Sequence, residues 1–277
     1  SLKVSRPIRS PIRMHWLWIY FALLVGGLST MLVDGFGLVA FLVYYAGMPL
    51  GAVAVWWLSG RSAGALVRGE AIRALRVAVP GAIGAALAAG AIYAALAVAG
   101  WAALDGPRAA FGRFLLVLSG QQVLVAGFEE LAFRGVMQAL LIDRLGMGRG
   151  LGIAAGSFGL FHLPNLIYQD VPGSLIPVAL ANLTVMGVVF GWAFERSGRL
   201  LALPVVLHFG WNMATYSFED GFGLRFNGPA LITGDPAWFP ESGLATLLGL
   251  ALVGALAWAL TRKNEREAAF RQHRRLA

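Results

Sequence analysis

Two carboxylates, two imidazoles, an amide and a guanidinium stand in stretches of this chain that are otherwise apolar. Glu129, Glu130 and Arg134 fall in the run 120–141, His162 in 152–163, and His208 with Asn212 in 200–216. A charged side chain in hydrocarbon costs at least a few kcal/mol, which makes each such group a functional candidate. The residue types are those of water-activating hydrolysis. A carboxylate or imidazole takes the proton from water, and an imidazole or amide donates to a developing oxyanion. A lone histidine in an apolar helix packs against a neighbour more often than it catalyses, so the weight rests on the set.

Spacing sorts the set into faces. His208 and Asn212 are four apart and stack on one helix face, as do Phe158 and His162. Glu130 and Arg134 are also four apart, with the acid first, the favourable order for an ion pair. Glu129 lies about 100° around the helix from Glu130, so the two carboxylates need not share a task. The simplest division pairs Glu130 with Arg134 and leaves Glu129 facing His162 and a water. Phe158 is expected to pack rather than react, Trp211 to form wall, and Asn182 and Thr184 to act as interhelical glue.

These residues must be positioned by helices in a bilayer. Hydrophobic residues make up 58% of the chain and charged ones 13%, and mean hydropathy is +0.71. The expected fold is all-α: a polytopic transmembrane bundle of about eight spans. The predicted helices cover 15–33, 36–59, 77–103, 112–141, 150–167, 174–195, 200–217 and 242–261. The third is rich in small residues (Gly81, Gly84, Ala85, Ala88, Ala89) and reads as a packing helix. The fourth is long enough to require a tilt, a kink near Gly120 or Gly127, or a cytoplasmic projection. Pro164 should end or bend the fifth just past His162. The first two carry no buried ionisable group and read as peripheral. The loop 218–242 is either a lid or a solvated connection.

Charge orients the bundle. Lys3, Arg6, Arg9 and Arg13, then Arg61, Arg68, Arg73 and Arg76, then Arg144, Arg149, Arg196 and Arg199, and finally the tail 262–275 all fall on one side of the alternating spans. Only Arg108, Arg113 and Arg225 fall on the other. The positive-inside pattern makes the first side cytoplasmic, with both termini there. At about 1.5 Å per residue, Glu129, His162, His208 and Asn212 come to one level, roughly 12–18 Å below that surface. The net charge of +8 is therefore a membrane signature. No basic face interleaved with aromatics points to nucleic acid. Absence of cysteine excludes disulfides and thiol chemistry. The first apolar segment has a basic flank, no small-x-small cleavage site and another apolar run behind it, as a retained signal anchor would.

The three motifs, Glu-Glu-x-x-x-Arg (Glu129, Glu130, Arg134), Phe-x-x-x-His (Phe158, His162) and His-x-x-x-Asn (His208, Asn212), resemble those of the CPBP family of intramembrane proteases. That family includes the type II CAAX prenyl endopeptidases and bacterial bacteriocin-processing or immunity relatives. The resemblance spans roughly 112–217. It implies Glu129 as the base that activates water with His162, His208 and Asn212 holding water or oxyanion, and Glu130, Arg134 and Phe158 in support. Members have been described as metal-free glutamate proteases and as metalloproteases. The cofactor expectation is accordingly none, or one divalent metal such as zinc on Glu129, His162 and His208.

The resulting expectation is an endopeptidase with a cytoplasm-facing cavity. Its partners are the lipid bilayer and a membrane-associated or lipid-modified peptide substrate, and its place is the cytoplasmic membrane of a bacterium. Three regions are expected: 1–110 with an arm and three peripheral or packing helices, 111–217 as the catalytic core, and 218–277 as outer loop, last span and basic tail. The alternatives are a proton-coupled transporter, which also buries Glu, His and Arg, and an inactive scaffold or immunity protein.

Overall fold

A computed structural model describes residues 14–33, 35, 37–62 and 71–276, with backbone alone for 237 and 263–276. The basic arm 1–13 and Arg68 lie outside the described residues. Six helical stretches are long and apolar enough to cross a membrane: Met14–Leu32, Gly37–Leu58, Ala71–Val98, Phe111–Leu145, Met147–Tyr168 and Ile176–Arg196. The 15-residue helix Ala202–Tyr216 and the apolar part of the last helix, Thr246–Arg262, are shorter. Apolar side chains point outward around the bundle, with Leu75 73% and Leu87 69% exposed. A soluble protein would not present such a surface, and lipid tails cover it.

In chain order the helices are α1 (Met14–Ser29), α2 (Gly37–Leu42), α3 (Met48–Leu58), α4 (Ala71–Val98), α5 (Phe111–Glu130), α6 (Ala139–Leu145), α7 (Met147–Phe161), α8 (Leu163–Tyr168), α9 (Ile176–Arg196), α10 (Ala202–Tyr216), α11 (Ala230–Thr233) and α12 (Thr246–Leu276). Wider π-helical turns at Val43–Gly47 and Leu131–Gln138 join α2 to α3 and α5 to α6. The fourth span is thus irregular just after Glu129 and Glu130, and not at Gly120 or Gly127 as its sequence suggests. Such π segments recur where a helix must turn functional side chains. The break after His162 falls where Pro164 requires it, in the first turn of α8.

The third span differs from expectation at both ends. It runs from Ala71 and stops at Val98, because Gly100 takes a left-handed turn (φ 75°) that caps the helix. The chain beyond it forms β1 (Ala102–Leu104), which pairs antiparallel with β2 (Leu224–Phe226), Ala103 opposite Arg225. Small residues do make α4 a packing helix. A Cβ on Gly210 of α10 would strike the Ala82 carbonyl, and one on Gly81 would strike Val206. The α4–α10 pair is the most extensive helix contact in the bundle, so α10, which carries His208 and Asn212, is held at backbone distance. Glycines set α9 against α7 in the same way, at Gly159 and Gly187.

The two ends of the bundle are distinct. At one, Asp143 accepts from Arg61 (2.5 Å) and Arg199 (3.0 Å), and Arg73 donates to the Ser197 carbonyl (2.5 Å). At the other, the Asp105 and Arg108 amides bond to the backbone of 221–223, and Phe111 packs on Phe222. The segment 217–245 then folds back into the bundle, where Asn182 of α9 donates to the Glu241 and Gly243 carbonyls, both at 2.8 Å. Asn182 therefore ties α9 to the cap segment and not to a second helix, and Thr184 bonds back to the Leu180 carbonyl of its own helix at 2.8 Å. The loop is a cap and not a solvated connection.

Candidate active site

Glu129 ends α5 with its carboxylate buried, 4% exposed. The Tyr44 hydroxyl donates to its Oε1 at 2.5 Å. Its Oε2 has no hydrogen-bond partner among the described residues and faces two imidazoles, His162 Nε2 at 3.8 Å and His208 Nε2 at 3.9 Å. Those separations are too long for direct hydrogen bonds and of the size that one bridging water spans.

Both rings are fixed from behind. His162 Nδ1 lies 2.8 Å from the Phe158 carbonyl. A carbonyl only accepts, so Nδ1 carries the proton and Nε2 of the neutral ring turns a lone pair toward Glu129. His208 Nδ1 lies 2.9 Å from Glu130 Oε1, and the same oxygen accepts from Arg134 Nη1 at 3.0 Å. Glu130 is therefore more than a partner of Arg134: it also sets the ring of His208. Arg134, 1% exposed, lays its guanidinium over Phe158 with 4.2 Å to the ring centroid. That cation–π contact compensates in part for Nη2, which has no hydrogen-bond acceptor among the described residues. Phe158 meets His162 edge-on at 4.8 Å, so one buried ring braces the cation and the imidazole.

Asn212 donates to Gln122 Oε1 at 2.8 Å. The structure thus brings together Glu129, Glu130, Arg134, Phe158, His162, His208 and Asn212. It adds residues that the sequence did not single out. Tyr44 sits in the second span, read as peripheral, where a tyrosine pair looks like interfacial aromatic. Gln122 precedes Glu129 by two helical turns on the same face, a spacing that is legible in the sequence. Trp238 packs edge-on to His162 at 6.1 Å, and Glu241 accepts from the indole of Trp211 at 2.5 Å. Both come from the cap, whose fold-back has no sequence signature.

The site opens into a cavity of about 410 Å³. Its lining includes Glu129, His162, His208, Asn212, Tyr44 and Glu241. Leu28, Gly37, Tyr168 and Glu219 also border it, and these lie toward the end that carries the cap, away from the Arg61–Asp143–Arg199 cluster. On that latter side Phe133, Val136, Met137 and Gln138 are buried. These lining residues lie on the cap side of Glu129, whereas the expectation of a cytoplasm-facing cavity looks to the basic end. In the cap, burial pushes the Glu241 carboxyl up to about 7. Burial, with Glu241 beside it, raises that of Glu219 well above the usual carboxylate range.

Among the described residues, no three His, Asp or Glu side chains form a group able to hold a metal ion. In the Glu129, His162 and His208 set weighed as a zinc site, each histidine Nδ1 is held by an acceptor and both Nε2 atoms face Glu129 Oε2, at 3.8 and 3.9 Å.

Residues 111–214 match the family model described as Rce1-like, type II CAAX prenyl endopeptidase. The match covers the helices that carry all three motifs and bears out the resemblance drawn from them. No curated protein matches the chain.

Proposed function

From this match and geometry we propose that the chain is an intramembrane endopeptidase that hydrolyses a peptide bond of a membrane-associated substrate by general-base attack of water. The carrying observation is Glu129 Oε2, buried without a partner and facing two imidazole Nε2 atoms at nearly equal distance. A water bound there hydrogen-bonds to Oε2 and to the lone pair of His162. Glu129 takes its proton as the oxygen attacks the carbonyl carbon, and later delivers that proton to the departing amine. Tyr44, donating to Oε1, keeps the carboxylate turned so that Oε2 faces the water. His208, its Nδ1 held by Glu130, turns Nε2 toward the tetrahedral oxyanion, to which a proton on that nitrogen would donate. Asn212, steadied by Gln122, orients the substrate carbonyl beside it.

No step is routed through a metal. The test is cleavage of a membrane-peptide library by the purified protein in ¹⁸O-water with a strong chelator present. The proposal expects cleavage to persist and ¹⁸O to enter the new carboxyl terminus. Cleavage lost to chelator and restored by zinc would overturn the metal-free step. An acyl-enzyme trapped by hydroxylamine would overturn direct attack by water.

A further inference from the structure

The cavity and the charge of the molecule point in opposite directions. Arg61, Arg73, Arg144, Arg149, Arg196 and Arg199 gather at the end closed by the Asp143 cluster. At the end carrying the cap stand Arg108, Arg113 and Arg225, the last paired with Asp105. The acidic residues Asp170, Glu219, Asp220, Asp235 and Glu241 lie there as well. Basic residues next to short membrane loops are retained on the cytoplasmic side. The closed end is therefore cytoplasmic and the open end is not.

We propose that the cavity opens to the non-cytoplasmic face of the membrane and takes its substrate from there. This rests on the hydrolytic reading for what enters, but not for where. Three independent features agree with it. The first, second and fifth spans and α10 contribute residues of their cap-side halves to the lining: Leu28 and Met31 at the end of the first span, Gly37 and Ala40 at the start of the second, Tyr168 and Gln169 at the end of the fifth, and Thr215 and Tyr216 at the end of α10. Below Glu129 the core is filled, with Arg134 and Phe133 each 1% exposed and Gln138 tied to the Gly191 carbonyl at 2.9 Å. The segment folded over the mouth, with Trp238 and Glu241, belongs to the same end. The substrate class is then a segment displayed on the outer side: a secreted peptide, or the outer juxtamembrane stretch of a membrane protein. A chain end lying in the cytoplasm could not reach Glu129.

The chain has no cysteine, so single cysteines report topology without background. An added Cβ at Gly37, on the cavity mouth, and at Gly148, on the basic end, meets no atom within 4 Å. Whole cells expressing Gly37→Cys, Tyr168→Cys or Gly148→Cys in the full chain are treated with a membrane-impermeant maleimide, and each result is scaled to labelling in detergent. The proposal expects Gly37→Cys and Tyr168→Cys to label in intact cells at close to their detergent level. Gly148→Cys should label only after permeabilisation. The reverse pattern, or equal labelling of both ends, overturns it. Labelling needs no turnover, so a protein with this topology that cleaves nothing would sink the hydrolytic reading alone.

Discussion

At the scale of single residues, the site is a carboxylate whose surroundings have been divided between its two oxygens. Tyr44 satisfies Oε1 and leaves Oε2 to the imidazoles. A hydrogen bond to a charged group is worth about 1.5–3 kcal/mol, so Tyr44→Phe should lower kcat roughly 10- to 100-fold with little change in KM. Steady-state kinetics on one cleavable peptide check this, and a change confined to KM would contradict it. Arg134 is a different case. Its removal leaves Glu130 buried without its cation, which costs about 3–5 kcal/mol for a buried pair. Arg134→Met is expected to lower thermal stability by that amount and to lose activity through His208, which Glu130 positions. Unchanged melting would show the pair to be dispensable. The ionisable residues were legible because charge in an apolar run is conspicuous. Tyr44 was not, since a tyrosine in a lipid-facing helix is ordinary and only its long-range contact with Glu129 distinguishes it.

At the scale of elements, backbone approach and the cap decide the geometry. Gly210 lets α10 lie against Ala82 of α4. Gly210→Ala should displace α10 and cost about 1–3 kcal/mol as overpacking does, read as a drop in melting temperature. An unaltered melting temperature would mean that the helices part freely there. The cap carries a pH dependence. The Glu241 carboxyl titrates at about 7 in the fold against 4.5 ordinarily, so the folded chain binds its proton more tightly than the unfolded one. Its stabilising contribution is complete below pH ~4.5, declines as pH rises and is gone above ~7, a span of roughly 3 kcal/mol. Melting temperature should fall between pH 5 and 8, and Glu241→Gln should flatten that fall. A rise over the same range would contradict the assignment. The predicted helices follow the observed ones to within about four residues, except that the third begins at Ala71 and stops at Val98, where β1 takes the remainder, and the last runs on to Leu276. The π turn of 131–138 was not readable, because backbone widening leaves no mark on composition.

At the scale of the whole molecule, exposed ion pairs stand at both ends of the bundle, at Asp143 and at Arg225–Asp105, and the Glu130–Arg134 pair is buried between them. The Arg61–Asp143–Arg199 cluster joins three connections, but its side chains are a quarter to a third exposed. Such pairs contribute at most about 1 kcal/mol, so Asp143→Asn should barely lower the melting temperature while Arg134→Met lowers it strongly. Comparable losses would put the anchor of the fold at the basic end. Charge distribution gives an expected orientation from the sequence alone, whereas the side of Glu129 on which the cavity lies needed the three-dimensional arrangement, because matched depth says only that residues meet. Everything functional converges on Glu129. The most direct measurement is the single-turnover cleavage rate of Glu129→Gln beside wild type on one peptide, with the melting temperature of each. Loss of a general base predicts a rate at least ~100-fold lower at nearly unchanged stability. A glutamine variant that cleaves at close to the wild-type rate would contradict the account.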